Sequence, residues 1–282
     1  MALGGALGGS SGVIMALVFA GIGNFVSYWF SDKLVLRAYR AQPVDQTDWL
    51  YKMVDELAKK ANLPTPRVYL INQDQPNAFA TGRNPQNAVV AVTKGLVEYM
   101  NKDELAGVIG HELGHIKNRD ILVGTVAATL AGAISYLGYA TRFGAGRRSG
   151  GGNNFMFLIA LILAPIAASM IRMAISRTRE YKADAFGAMV SGNPKFLSSA
   201  LSKLENGRKT LSMKGNPSTS HMFIVHPFSG KSLANLFSTH PKTEERIKRL
   251  EEMELGKNEI YWKLNSSKNV EDSRRYNRTE RR

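Results

Sequence analysis

Residues 105–120 read LAGVIGHELGHIKNRD, and the five at the centre, His111-Glu112-Leu113-Gly114-His115, decide how the chain is read. In a helix, residues four apart lie on one face about one turn apart. His111 and His115 can therefore turn their imidazole nitrogens toward a single ion. Glu112 stands beside that face and reaches a water there without taking a coordination position. This is the H-E-x-x-H arrangement, in which a divalent metal acidifies water and polarises a carbonyl while the glutamate accepts and relays a proton. Such a pattern arises by chance in about one per cent of chains of this length at ordinary composition. The plain alternative is a pair of surface histidines. Against it, Leu105–Ile109 is apolar, so the histidines sit on a largely buried helix where each imidazole needs a partner. Gly110 and Gly114 would each weaken a helix interior by about 1 kcal/mol relative to Ala, which makes sense if another element packs closely there.

A zinc site needs more than two protein ligands. The extension that places Gly three residues past the second histidine and a third His three beyond that is absent, because Asn118 and Ile121 hold those positions. The third ligand is then a downstream carboxylate on another helix. Apolar stretches at 121–140 and 155–175 form a hairpin that returns the chain to the side where HELGH lies. The next helix carries Arg177, Thr178, Arg179, Glu180, Tyr181, Lys182, Ala183 and Asp184. Glu180 is the first carboxylate after the hairpin and the expected metal ligand. Asp184, one turn on, is placed to accept from a ligand imidazole N–H. The alternative makes both carboxylates surface charges paired with Arg and Lys.

Around this centre the chain reads as a mainly α (α+β), membrane-anchored architecture. No Asp, Glu, Lys or Arg precedes Asp32. Ser11–Phe30 is long enough to span a bilayer, which takes about 20 apolar residues, and it ends in the interfacial aromatics Tyr28, Trp29 and Phe30. It lacks the basic start and small-residue cleavage site of a signal peptide. Ile121–Ala140 lies between Asp120 and Arg142; its Ala and Gly content also permits a buried helix. Phe155–Ile175 contains Pro165. The expected organisation is an N-terminal span at 1–30, a first catalytic part at 31–120, a transmembrane hairpin at 121–175, a second catalytic part at 176–265 and a disordered basic tail at 266–282. Helices are expected at Asp45–Ala61, Thr93–Met100, Asp103–Lys117, Ser176–Val190, Asn193–Glu205 and Lys242–Glu254. Strands are expected at Arg67–Asn72, Asn77–Gly82 and Ala88–Thr93, the last two joined through Gly82-Arg83-Asn84-Pro85.

The chain has 282 residues, a net charge of +14 and no cysteine. Thiolate ligands, a cysteine nucleophile and disulfides are excluded. The charge raises nucleic acid as a partner, but none of the corresponding motifs is present. The basic residues instead flank the apolar stretches, where they meet lipid headgroups and set topology. Lys33, Arg37, Arg40, Lys117, Arg119, Arg172, Arg177 and Arg179 outnumber Arg142, Arg147 and Arg148 of the hairpin loop, which places the catalytic part on the cytoplasmic side.

HELGHIKNRD, the apolar hairpin and SRTREYKADAFGA, taken together, resemble the HtpX-type membrane metalloproteases, more distantly related to the CAAX prenyl endoproteases. DQPNAFATGRNPQNAVVAVTKGL at 74–96, SYWFSDKLVLRAYRAQPV at 27–44 and STHPKTEERIKRL at 238–250 extend the resemblance, in family order, to about residue 255. It implies a zinc-dependent endoprotease of the bacterial cytoplasmic membrane, linked to quality control of membrane proteins, with one Zn2+ per subunit held by His111, His115 and Glu180 and with Glu112 as the base. It also implies a substrate-binding edge strand at Asn77, Ala78, Phe79 and Ala80, which could pair with an extended peptide. Asn77 and His240 resemble positions near the scissile carbonyl, as oxyanion donors. For His240 a helix-start role ahead of Pro241 and Glu244 remains equally open. His221 and His226 are read as non-ligands. The family usually carries two N-terminal spans; this chain shows one, its first ten residues resembling the end of a shortened first span. The expected partners are unfolded or membrane protein substrates and the lipid bilayer, with a homo-oligomer allowed. The rival reading is a zinc-binding membrane scaffold or chaperone without proteolytic activity.

Overall fold

The computed structural model describes residues 2–127, 175–210 and 241–253. The hairpin loop, most of the two hairpin spans, the stretch 211–237, His221, His226, His240 and the basic tail lie outside the described residues. Within them the architecture is mainly helical with one small mixed sheet. The element order is α1 (Ala2–Trp29), α2 (Ser31–Ala38), β1 (Gln42–Pro43), α3 (Trp49–Lys60), β2 (Arg67–Ile71), β3 (Ala78–Thr81), β4 (Val89–Thr93), α4 (Lys94–Tyr99) and α5 (Lys102–Lys117). Helical residues 120–127 (α6) and 175–191 (α7) follow, then α8 (Pro194–Thr210) and α9 (Thr243–Glu251).

Local chemistry sets these boundaries. Helix α3 starts four residues later than the pattern predicts, because the Asp48 side chain accepts the Leu50 N–H and caps it. Asp45 instead closes a tight turn on Thr47. Thr93 caps α4. Asn101 opens α5 in a reciprocal capping box with Glu104. At the end of β3, Gly82 has a φ of +122°, and a Cβ there would meet the Asn87 carbonyl oxygen at 2.3 Å, so only glycine fits.

The strand order is β1-β2-β4-β3. β2 and β4 run parallel; β3 is antiparallel to β4 and forms one outer edge. The run VVAVT of β4 is buried throughout, as a central strand covered on both faces must be. One face carries the main core, with Val68, Val90 and Val92 against Leu57 of α3 and Leu105, Ile109 and Leu113 of α5. The other face carries Ile71, Phe79 and Ala91 under Val35 of α2 and Tyr39, the residue that follows it. The sequence pattern does not reveal α2 or β1. Asp32 of α2 pairs with Arg67 of β2, which fixes the short helix to the sheet.

Among the described residues, no helix is long and apolar enough, over the side chains described, to cross a membrane. α1 itself is 28 residues long and uncharged. Ile14, Met15, Val18, Phe19, Ile22 and Phe25 on it are 54–65% exposed.

Candidate active site

Backbone contact between helices builds the site. Gly110 and Gly114 let α7 approach α5 closely. A Cβ at Gly110 would lie 2.9 Å from the Gly187 carbonyl oxygen, and one at Gly114 would lie 2.9 Å from Ala183 Cα. The two helices therefore cross antiparallel, with Glu180 and Asp184 beside His115 and His111. Gly107 meets the α8 backbone in the same way, 2.6 Å from Leu197 N. These glycines trade helix propensity for close approach.

The ligand geometry follows. His111 Nε2 and His115 Nε2 are 3.1 Å apart. His111 Nε2 lies 3.7 Å from Glu180 Oε2, and His115 Nε2 lies 3.7 Å from Glu180 Oε1. Zinc–nitrogen and zinc–oxygen bonds of about 2.0–2.1 Å give a tetrahedron with edges of roughly 3.3 Å. The three donors fit that figure, and they form the candidate metal cluster found among the described residues. Both Nδ1 atoms face carboxylates: His111 Nδ1 lies 2.9 Å from Asp184 Oδ1, and His115 Nδ1 lies 2.6 Å from Asp120 Oδ2. That orientation leaves both Nε2 lone pairs for one ion.

The surrounding charges are buried and unevenly compensated. Burial raises the pKa of Glu112 above the ordinary carboxylate range. The imidazoles of His115 and His111 oppose the shift, and the charge of Glu180 adds to it. Burial also resists a charged His115, but the Asp120 hydrogen bond and the nearby Glu180 and Glu112 outweigh it and raise its pKa to about 9 in the metal-free protein. Asp184 stays below the usual range despite its burial, because Arg246 and His111 hold its charge. Arg246, from α9, is fully buried and grips Asp184 with Nε–Oδ2 at 2.8 Å and Nη2–Oδ1 at 2.7 Å. Its Nη1 lies 3.6 Å from Glu180 Oε2.

Glu112 also meets the sheet. The Ala80 N–H donates to Glu112 Oε2 at 2.7 Å. Alternate residues of an antiparallel edge strand turn their backbone groups outward. The Asn77 carbonyl accepts from the Thr93 N–H, and Phe79 stands opposite Ala91, so the outward positions are Ala78 and Ala80. Of the four residues expected on the substrate edge, Asn77 and Phe79 thus direct their backbone groups to β4. The Asn77 N–H is held by Thr93 Oγ1, and the Phe79 side chain is buried on the α2 side. The structure brings His111, Glu112, His115, Glu180, Asp184 and Ala80 together. Sequence reading missed Asp120, Arg179 and Arg246. Asp120 appeared only as the charge ahead of an apolar stretch, and Arg246 as one of several cations on a charged helix.

Hydrolysing a peptide bond requires a polarised carbonyl, a proton acceptor and a held backbone; a three-donor metal cluster, Glu112 and the outer strand of the sheet beside it are suited to supply these, which is the constitution of a metallopeptidase. Residues 45–254 match peptidase family M48, and the chain belongs to that family. A protease HtpX homolog of Desulforapulum autotrophicum is 55% identical over 259 residues, covering 89% of this chain and 84% of the relative. Another, from Syntrophobacter fumaroxidans, is 54% identical over 262 residues, covering 89% and 93%. The crystal structure of S. mikatae Ste24p shares the fold, with a TM-score of 0.55 at 20% identity, over 88% of this chain and 64% of that one.

Proposed function

We propose that this metallopeptidase is a zinc-dependent endopeptidase, anchored in the bacterial cytoplasmic membrane, that cuts unfolded or damaged membrane proteins. The observation that carries the reading is the tetrahedron-sized triangle of His111 Nε2, His115 Nε2 and Glu180 carboxylate, with Glu112 between it and β3, the outer strand of the described sheet. When bound, zinc supplies an acidified water and a polarised carbonyl. Glu112 takes the proton on Oε1, since Oε2 is held by the Ala80 N–H, and returns it to the leaving amine. An extended substrate pairs with the outward backbone groups of Ala78 and with the Ala80 carbonyl, the Ala80 N–H being held by Glu112. Such pairing reads main chain more than side chain, which suits varied unfolded substrates.

Membrane anchoring is supported by the uncharged α1 and its exposed apolar row, which suit burial against lipid. The aromatics at its end mark the interface. Arg83 stacks on Trp29 with its guanidinium 4.6 Å from the ring centroid, and the Tyr28 hydroxyl donates to the Arg83 carbonyl at 2.6 Å. The turn that ends the substrate edge is thereby tied to the interfacial end of α1. The basic residues flanking the spans favour a cytoplasmic catalytic part.

The test is degradation of a chemically unfolded protein by detergent-purified chain and by Glu112→Gln, each stripped with chelator and then given zinc. The expected result is zinc-restored cleavage by the wild type alone. Equal cleavage by both would refute the role of Glu112, and zinc binding without cleavage by either would put the scaffold reading ahead.

A further inference from the structure

Asp120, which faces His115 from the far side of the metal cluster, is itself held in a particular way. It is 4% exposed. Its Oδ2 lies 2.6 Å from His115 Nδ1, and its Oδ1 lies 3.2 Å from Arg179 Nε. The backbone is bent to bring it there. α5 ends at Lys117, and Arg119 takes a left-handed φ of 52°. A side chain with a Cβ disfavours that conformation, and such departures persist where the surroundings demand them. Here the turn at 118–119 sets a carboxylate only five residues past His115 against its ring.

Arg179 approaches the other side of the carboxylate as an ion-pair partner. It immediately precedes Glu180, the carboxylate of the candidate metal triangle, and its guanidinium lies across Gly124, one turn beyond Asp120 on α6. The arrangement repeats the one at the first histidine. His111 faces Asp184, which Arg246 grips; His115 faces Asp120, which Arg179 approaches. Each imidazole therefore has its own carboxylate, and each carboxylate its own arginine, drawn from different elements.

We infer that Asp120, steadied by Arg179, is the positioning residue of His115, fixing the Nδ1–H tautomer and the ring plane so that Nε2 points at the metal. Because Asp120 opens α6 and Arg179 lies on α7, the second histidine is also tied to the two helical arms that flank residues 128–174. A metal-ligating histidine whose outer nitrogen loses its carboxylate typically binds metal 10–100-fold more weakly. This inference rests on the reading of His111, His115 and Glu180 as ligands.

The experiment measures zinc affinity by chelator competition, on full chain purified in detergent, alongside melting of the metal-free form. Asp120→Ala is expected to weaken zinc binding by about 10–100-fold. Asp120→Asn, whose carbonyl oxygen still accepts from Nδ1, should fall between it and the wild type. Asp32→Ala removes a buried carboxylate from an arginine pair away from the metal ligands and should leave zinc affinity unchanged even if melting falls. Wild-type affinity in both Asp120 variants, with His115→Ala impaired, would overturn the inference and leave the metal site standing. If Asp120→Ala fails to fold, wild-type affinity in Asp120→Asn alone overturns it. Unimpaired binding by His115→Ala would instead overturn the ligand reading itself.

Discussion

Helix α5 buries two glutamates, Glu104 and Glu112, two turns apart and nearly equally hidden at 3% and 5% exposure, yet their environments are opposites. Glu104 sits in a completed set of partners: the Asn101 N–H, the Ser199 hydroxyl and the Lys203 ammonium. Burial pushes its pKa up, but those partners more than reverse it and leave it lowered. For Glu112 burial raises the pKa, and the imidazoles of His115 and His111 and the Ala80 N–H on one oxygen do not reverse it, with another carboxylate, Glu180, nearby. Burial of a charge is tolerated when it is paired and hydrogen-bonded. Glu104 meets that condition and joins α5 to α8. Glu112 does not, and the imbalance is what a base for proton transfer requires. One helix thus carries a scaffold end and a reactive end.

The sharpest way to break this contrast is a paired substitution. Glu112→Gln should cut peptide hydrolysis by about 10²–10⁴-fold, the usual share of a general base, while leaving the metal-free fold as stable or more so, since an unfavourable buried charge is gone. Peptide cleavage rates and thermal melts of the same preparations check both halves. A clear loss of stability in Glu112→Gln would show that Glu112 is scaffold after all. Glu104→Ala should do the reverse. It removes the capping box and leaves buried partners short of an acceptor, at about 1–3 kcal/mol, with the rate per folded, zinc-loaded molecule retained.

A second prediction probes the join between the two ends. A Cβ at position 187 would lie 2.6 Å from the His111 backbone nitrogen, so Gly187→Ala should force α7 away from α5. Overpacking of this kind costs about 1–3 kcal/mol. It should weaken zinc binding as well, because Glu180 and Asp184 ride on α7. Unaltered melting and zinc affinity would mean the helices have slack that the close contact conceals.

How much of this was legible beforehand divides along the same line. HELGH announces itself because metal chemistry fixes residue types at helical spacing, and Gly110 and Gly114 correctly signal a close neighbour. Mainly helical architecture with a small sheet was readable from periodicity and turn residues. Capping side chains shifted the ends of α3 and α5, where Asp48 and Asn101 compete with equally polar neighbours. The outward register of β3 was not readable. Asn77-Ala78-Phe79-Ala80 has no strict alternation, and only the pairing with β4 shows that Ala78 and Ala80 turn their backbone groups outward. Arg246 was illegible for a different reason. TEERIKRL looks like a solvated charged helix, and nothing local distinguishes the arginine that is buried from the ones that are not, because its partner Asp184 lies 62 residues away.

The smallest effect is also the most discriminating, because it predicts opposite signs on one helix. A carboxylate whose folded pKa lies below its unfolded value of 4.5 stabilises the fold fully above 4.5, and that contribution is lost as pH falls through the folded pKa. Glu104 is such a group. A carboxylate whose folded pKa lies above 4.5 does the reverse: between 4.5 and the folded pKa the native state holds the extra proton, so stability rises as pH falls. Glu112 is that group. Either slope is at most about 1.4 kcal/mol per pH unit. Urea melts of metal-free wild type, Glu104→Gln and Glu112→Gln across this range separate the two. The advantage of Glu112→Gln over wild type should shrink as pH falls toward 4.5, and the advantage of wild type over Glu104→Gln should shrink only below it. Curves that move together would mean both glutamates answer to one shared environment, and the division of α5 into a scaffold end and a reactive end would have to be abandoned.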